Sequence, residues 1–282
     1  MTHVAIIGAG LCGLAAALFL ARRGHEVDLF ERDGDDPPAD HLEAFEKWTR
    51  RGVPQARHAH AFLGLSGKIL NEEAPDVLGA LRAAGAKAVK MDGPEIPGVT
   101  LLTSRRLTYE AVLLKIVSAE ARVKIHRGAA IEGLIAETNG AVPRVVGVRT
   151  VEGQECRADL VADASGRWTR GAEWLGAIGA RSWKEQAMES PFVYLTRHYR
   201  LKLGAAAPSE QMATGADLSY GGATLFQGDN DVFGMVYLTS TAEPHRNAIA
   251  RNDRFDAVMG AIAQTAEWLA LGEAINDVQV LG

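Results

Sequence analysis

The sequence lacks the features that would announce several functional classes. It has two cysteines, Cys12 and Cys156, and no Cys-x-x-Cys pair. That excludes a disulfide framework and a dithiol redox centre, and it suits a reducing, cytoplasmic setting. Basic charge is not in excess. The formal net charge is −5, and Arg22-Arg23, Arg50-Arg51 and Arg105-Arg106 are isolated pairs, so no global field draws nucleic acid or anionic lipid. Internal repeats, low-complexity tracts and a recognisable signal peptide are missing too. A single long apolar run is present: Val4 to Ala21 carries no charge over 18 residues, enough for a membrane span. Its glycines interrupt a uniform helix, no Lys or Arg precedes it, and a strand pattern follows a few residues later. Stable membrane insertion is therefore not expected.

What is present is the composition of a globular protein. The 282 residues are 47% hydrophobic and 23% charged, with room for one large domain or two ordinary ones. The chain opens on Val4-Ala5-Ile6-Ile7, a short β-branched run that reads as a buried strand, followed by Gly8-Ala9-Gly10-Leu11-Cys12-Gly13. An Ala/Leu-rich helix is expected from Leu14 to Arg23, then a strand over Glu26-Val27-Asp28-Leu29-Phe30 with Glu31 at its end. Strand, glycine turn, helix, strand and acid compose a dinucleotide-binding unit. Gly8 permits the tight turn, Gly10 admits a pyrophosphate close to the backbone, and Gly13 lets the helix pack near the sheet. The phosphate charge is favoured by the free N–H groups and dipole of the helix N-terminus. Glu31 lies 18 residues beyond Gly13, the distance at which an acid accepts hydrogen bonds from a ribose.

Further along, Arg32 to Pro38 reads as a surface loop. The polar segment from Arg50 to His60 contains His58-Ala59-His60. No third ligand or zinc spacing accompanies this pair, which leaves a polar loop or contact with a bound cofactor or substrate as its readings. A helical pattern runs near Leu63 to Leu70, and residues 79–104 read as short strands punctuated by Gly and Pro. Val112, Leu113, Ile116 and Val117 recur at helical spacing, so Arg106 falls at the start of a helix, facing phosphate or solvent. Strands are expected at 123–125, 131–135, 145–151 and 156–161, with a hairpin turn at Glu152-Gly153. The last runs into Ala162-Asp163-Ala164-Ser165-Gly166-Arg167, the strand-end position at which α/β proteins place ligand contacts. Trp168, Trp174 and Trp183 read as packing anchors in a linker over 168–190. A strand from Phe192 to Leu203, a hairpin around Gly228-Asp229-Asn230-Asp231 and one amphipathic helix from Arg251 to Leu271 complete the chain. Along that helix Phe255, Met259, Ile262 and Leu269 share a side.

The order of the glycine fingerprint, the Arg106 helix and the Asp163-Ala164-Ser165-Gly166 strand end resembles the p-hydroxybenzoate hydroxylase type of flavoprotein monooxygenase. The likeness is strongest to a bacterial polyprenyl-methoxyphenol-hydroxylase-like subgroup. Pro54 to His60, Ala158 to Arg167 and Tyr194 to Arg200 resemble that subgroup, and the likeness runs through essentially the whole chain. It implies an α/β fold with α+β elements: a Rossmann-like FAD-binding domain and an interleaved β-sheet substrate domain. The FAD-binding domain would occupy residues 1–185, with about 60–104 contributing to the substrate side. The β-rich substrate domain, carrying a C-terminal helix, would occupy 186–282.

By the same resemblance, Gly8, Gly10 and Gly13 with the amides of Leu11 and Cys12 hold the FAD pyrophosphate. Glu31 takes the ribose, Arg32 lies beside the adenine, Arg106 opens the helix against FAD, and Asp163 and Gly166 form the second flavin motif. That motif is usually written with Asp and Gly adjacent; Ala164 and Ser165 separate them here, which leaves an NADPH contact through it in question. The implied activity is hydroxylation of an aromatic or polyketide-like small molecule with FAD, O2 and NAD(P)H as electron donor. No metal is implied, and no catalytic acid or base is legible; His58 and His60 are candidates by position. The family's third Gly-Asp motif has no counterpart, since Gly228-Asp229-Asn230 lies inside the predicted hairpin, so the expectation is a C-terminally shortened form. Three alternatives follow. One is a degenerate flavoprotein without activity alone. The second is a prenyl reductase or halogenase relative, although a halogenase Trp-x-Trp pair is absent. The third is a nicotinamide dehydrogenase, which would want a Tyr-x-x-x-Lys pair that the sequence does not contain.

Overall fold

The computed structural model describes residues 1–89, 101–138, 140, 142–181, 183, 186–208, 213–219 and 221–282. In chain order the first elements are β1 (His3–Ile7), α1 (Leu11–Arg22), β2 (Glu26–Glu31), α2 (Ala44–Lys47), α3 (Gly64–Glu73) and α4 (Pro75–Ala83). Then come β3 (Lys87–Val89), β4 (Leu101–Thr103), α5 (Arg106–Ser118), β5 (Val123–Arg127), β6 (Ile131–Glu137), β7 (Arg144–Thr150), β8 (Glu155–Arg157) and β9 (Leu160–Asp163). The remainder is α6 (Gly171–Ala177), β10 (Phe192–Leu201), β11 (Ala213–Leu218), β12 (Gly221–Gln227), β13 (Val232–Ser240), α7 (Arg246–Ile249), α8 (Asn252–Gly260), α9 (Ala263–Leu271), β14 (Gly272–Ala274) and β15 (Gln279–Leu281). Two compact units result. The first comprises Met1–Ala39, Lys47–Val53 and Leu113–Ala187; the second comprises Asp40–Glu46, Pro54–Val112 and Met188–Gly282.

The first unit is built on a parallel sheet in the order β5-β2-β1-β9. Val4 to Ile7 are all buried, as a strand covered on both faces must be. A three-stranded antiparallel sheet, β6-β7-β8, packs with Ile131 and Val148 against Ala5, Ile7 and Phe30. The expected single strand over 156–161 is two strands in different sheets. The amide of Ala158 still donates to Val146 of β7, while the next amide, Asp159, donates to His3 of β1. One backbone step changes the partner sheet. The predicted turn at Glu152-Gly153 is present, with Gly153 at φ +81.

The second unit is organised on an antiparallel sheet, β11-β12-β13-β10-β14, with β15 also paired to β10. The hairpin around residues 228–231 joins β12 to β13 as expected. One face of the sheet (Leu195, Tyr199, Leu225, Phe233, Met235) packs on Phe255, Met259, Ile262 and Trp268. The predicted single helix over 251–271 is two helices, because Ile262 is extended (φ −100, ψ 119). The Thr265 hydroxyl donates to the Met259 carbonyl at 2.5 Å, beside the Ile262 amide at 3.3 Å, at an acceptor that the break deprives of its regular i+4 amide. After α9 the chain returns to the sheet as β14 and β15 instead of ending on a helix. The expected strands over 79–104 are partly helix α4 and partly β3 and β4, and residues 90–100 lie outside those described. No helix among the described residues is long and apolar enough to cross a membrane.

The tryptophans divide. Trp174, on α6 within the expected linker, is buried, whereas Trp168 and Trp183 are 65% and 48% exposed and are not anchors. Trp268, in contrast, stacks edge-on against Phe233 with ring centroids 5.1 Å apart. Trp268→Ala is expected to lower stability by about 3–5 kcal/mol through the lost burial and cavity. Trp168→Ala should stay within about 0.5 kcal/mol. Urea unfolding midpoints of the two variants check this ranking.

Candidate functional site

In the first unit, the candidate site lies where β1 gives way to α1. Gly8 adopts φ +98, and a Cβ there would lie 2.7 Å from the Ala164 carbonyl oxygen. A Cβ on Gly13 would meet the Gly8 carbonyl at 1.8 Å. Both positions therefore exclude any side chain. The helix begins at Leu11, three residues earlier than the sequence reading, with Gly10 as an extended N-cap. No side chain caps this end and no acid lies in its first turn, so the N–H groups of Leu11, Cys12 and Gly13 have no intrahelical acceptor. Asp163 pairs in register with Ile7, which sets the second motif beside the glycine turn at the carboxyl ends of adjacent parallel strands. That crevice is where open α/β sheets bind ligands. The Asp163 carboxylate accepts from the Ser165 amide at 2.9 Å and from the Ser165 and Thr169 hydroxyls, holding the loop through which Gly166 turns at φ +87.

Glu31 stands at the end of β2 as expected, but its carboxylate is 5% exposed and already engaged. It accepts from the Ala9 amide (3.0 Å), the Asp33 amide (3.0 Å) and Arg50 Nη2 (2.9 Å). Arg50 also pairs with Asp33 at 3.0 Å and reaches the Ala9 carbonyl at 3.3 Å. Burial alone would raise the Glu31 pKa; the Arg50 guanidinium and the two amides outweigh it and hold the carboxyl below its ordinary value. The Ala9 peptide is thus gripped on both sides, its N–H by Glu31 and its carbonyl by Arg50. Arg32 is exposed, and its guanidinium lies over Gly52.

The second unit carries the other candidates. Arg106 opens α5 and pairs with Glu110 at 3.1 Å, and its Nε is buried with no hydrogen-bond partner. The neighbouring Arg105 forms a buried ion pair with Asp229, whose Oδ1 accepts from Nε (3.0 Å) and Nη2 (2.6 Å) while Oδ2 accepts from the Arg105 amide (2.7 Å). Burial would raise the Asp229 pKa, and Arg105 more than offsets it, so the carboxyl is held low. Asp229 therefore sits inside the hairpin tip, as the sequence placed it, but as a buried ion-pair partner. His58 Nδ1 is hydrogen-bonded to Thr196 Oγ1 at 2.8 Å, and His60 Nδ1 donates to the His58 carbonyl at 2.8 Å. Burial pushes the His58 pKa down to about 4 and that of His198 down to about 3. Burial lowers that of His60 as well, and the Arg106 charge adds to the effect. These imidazoles are neutral near pH 7, and the Nδ1–H of His60 leaves its Nε2 as an acceptor.

Residues 1–193 match the FAD binding domain family. The chain belongs to that family. Membership of the FAD binding domain family accords with the flavoprotein resemblance read from the motifs. Among curated relatives, Protein Rv3254 of Mycobacterium tuberculosis is 28% identical over 229 residues, which is 73% of this chain and 46% of that protein. A kynurenine 3-monooxygenase of Salinispora tropica is 31% identical over 185 residues, 59% of this chain and 36% of that protein. The matches thus span less than half the length of these relatives. The fold is similar to that of PqsL, a probable FAD-dependent monooxygenase from Pseudomonas aeruginosa, with a TM-score of 0.69 at 18% identity over 98% of this chain and 73% of that one.

The residues present fit an FAD. In the first unit Gly8 and Gly13 let the turn and α1 close onto the Ala164 loop and the Gly8 carbonyl, and the uncapped α1 N-terminus leaves the N–H groups of Leu11, Cys12 and Gly13 without intrahelical acceptors, a setting that suits a pyrophosphate. Sequence reading missed Arg50, Asp33, Thr196 and the Arg105–Asp229 pair. Only tertiary contact reveals them, because no local pattern joins residues 19 or 124 positions apart.

Two predictions follow from the buried charges. Arg50→Met strands two buried carboxylates, which costs about 3–5 kcal/mol; a urea midpoint close to wild type would disprove the clamp. The histidines set a pH dependence. Unfolded imidazoles bind protons below about pH 6.5 while His58 and His198 stay neutral in the folded chain, so stability is full above that pH and falls as pH drops toward their folded values. Between pH 7 and pH 5 the loss should reach roughly 2 kcal/mol per histidine, read as a lower urea midpoint at pH 5.

Proposed function

We propose that this chain provides the FAD-binding and substrate-binding parts of a flavin-dependent monooxygenase. Its substrate is an aromatic or polyketide-like small molecule, hydroxylated with O2 and electrons from NAD(P)H. The observation that carries the reading is the junction of the two flavin motifs: Gly8 has no room for a side chain because Ala164 of the second motif occupies that space. Bound FAD supplies the redox and oxygen-activating chemistry. The protein's part is to bind, orient and exclude water.

We assign the first unit to the cofactor. Gly8, Gly10 and Gly13 with the amides of Leu11 and Cys12 hold the pyrophosphate, and Asp163 and Gly166 shape the adjoining loop. Glu31 retains one lone-pair direction for the ribose beyond the three donors that it already accepts, and Arg32 lies on the adenine side. On the flavoprotein resemblance Arg106, which opens α5, is assigned to the cofactor as well. We assign the sheet face of the second unit that turns away from α8 and α9 to the substrate. There Tyr194, Leu238, Val236, Thr224 and Phe226 share one side by register. His58 is tied to the same face through Thr196. His60 Nε2, unprotonated near neutral pH, is the acceptor for a hydroxyl or amine of the substrate.

The absorbance spectrum of the purified chain, before and after FAD is added and desalted, tests this reading. Flavin bands retained by wild type and lost in Gly10→Val, with the fold intact by circular dichroism, support it. FAD-loaded protein should then oxidise NADPH faster when an aromatic substrate is present. A folded wild-type chain that retains no flavin removes the proposal.

A further inference from the structure

A second group of chemistry-bearing side chains lies in the first unit, apart from the glycine turn. We infer that His3, Asp28 and Cys156 form a binding site for a divalent transition-metal ion of the zinc class, with His126 holding the Asp28 carboxylate in place. The three residues come from β1, β2 and β8. Their ligand atoms all lie within 4.8 Å of one another. His3 Nε2 donates to Asp28 Oδ2 at 2.6 Å, and Cys156 Sγ lies 3.5 Å from the same oxygen. His126, on β5, donates from Nε2 to the other oxygen, Oδ1, at 2.5 Å, and its ring is stacked on Phe30 at 4.6 Å.

The convergence follows from the sheet. β1, β2 and β5 are neighbouring parallel strands with Ala5 opposite Asp28 and Phe30 opposite His126. Side chains two residues apart on a strand share a face, so His3, Asp28 and His126 project to the same side. That side is covered by β6-β7-β8, which delivers Cys156 onto Asp28.

The donor set is what a borderline metal prefers: one imidazole nitrogen, one thiolate and one carboxylate, with a fourth position for solvent. Zn–S and Zn–O bonds of about 2.3 and 2.0 Å at a tetrahedral angle put sulfur and oxygen about 3.5 Å apart, the separation already present between Cys156 and Asp28. The imidazole of His3 must open from 2.6 Å to about 3.3 Å from the carboxylate to admit the ion, and its side chain is 37% exposed at the start of β1. Charge also balances. One thiolate and one carboxylate neutralise a dication in a half-buried setting, where an uncompensated charge is costly. Burial, reinforced by the Asp28 charge, pushes the Cys156 thiol up to about 11, so the metal-free site holds a neutral thiol and uptake of the ion releases its proton. A hydrogen bond from a second histidine to the ligating carboxylate is the usual outer support of such a site.

The test titrates the 282-residue chain, without an affinity tag, with ZnCl2 and CoCl2 at neutral pH. One ion per chain is expected, with a cobalt–thiolate charge-transfer band in the near ultraviolet that Zn2+ displaces. Cys156→Ser should abolish the band, His3→Gln should weaken uptake by at least tenfold, and His126→Gln by about 10–100-fold. A readout that needs no variant is alkylation followed by mass spectrometry: Zn2+ should protect Cys156, while the exposed Cys12 reacts as before. No uptake at micromolar metal, or uptake with Cys156 still open to alkylation, overturns the inference and leaves the four side chains as a hydrogen-bonded tie between strands.

Discussion

The first unit depends on a steric condition at one residue. The chain must leave β1 through a position that carries no side chain, because Ala164 and Ser165, just beyond β9, occupy that space. Gly8 meets the condition with a left-handed backbone, and Gly13 meets its counterpart by letting α1 settle onto the Gly8 carbonyl. Once both are satisfied, the helix N-terminus and the Asp163 loop face the same crevice. A fingerprint that reads as a glycine pattern in sequence is, in space, the absence of two Cβ atoms, at Gly8 and Gly13, where two strands and a helix meet.

Around that condition the protein buries charge in pairs. Arg50 grips Glu31 and Asp33 in the first unit, and Arg105 grips Asp229 in the second. Buried ions of this kind contribute little net stability when complete and cost much when broken. Their value is geometric: each ties a loop to a strand end or a hairpin tip in one register. The Arg50 clamp also limits Glu31, most of whose acceptor capacity is already committed within the chain.

The division of labour between cofactor and protein explains why no catalytic triad or acid–base pair stands out. A flavoprotein needs its chain to hold, orient and enclose, and under the proposed function that work would fall to backbone amides, an arginine and neutral imidazoles. His58, His60 and His198 of the second unit are kept uncharged by burial, with Arg106 adding to the effect at His60 and Arg105 at His198, which suits them to hydrogen bonding and not to ion pairing.

The sequence by itself determined β1, α1 and β2, the strand-end loop at Asp163, the hairpin around residues 228–231 and the family. These depend on contacts between near neighbours, on glycine conformation and on apolar periodicity, all written locally. Tertiary structure decided the rest. The run 156–161 divides between two sheets because consecutive amides find different partners, and 251–271 breaks so that two helices reach one core. Trp168 and Trp183 stay largely exposed, Trp183 with only its ring edge against Gly171. Arg50 finds Glu31 across 19 residues, and Cys156 finds Asp28 across 128. No local propensity encodes such meetings; they arise when sheet register and layer packing bring distant residues to one point.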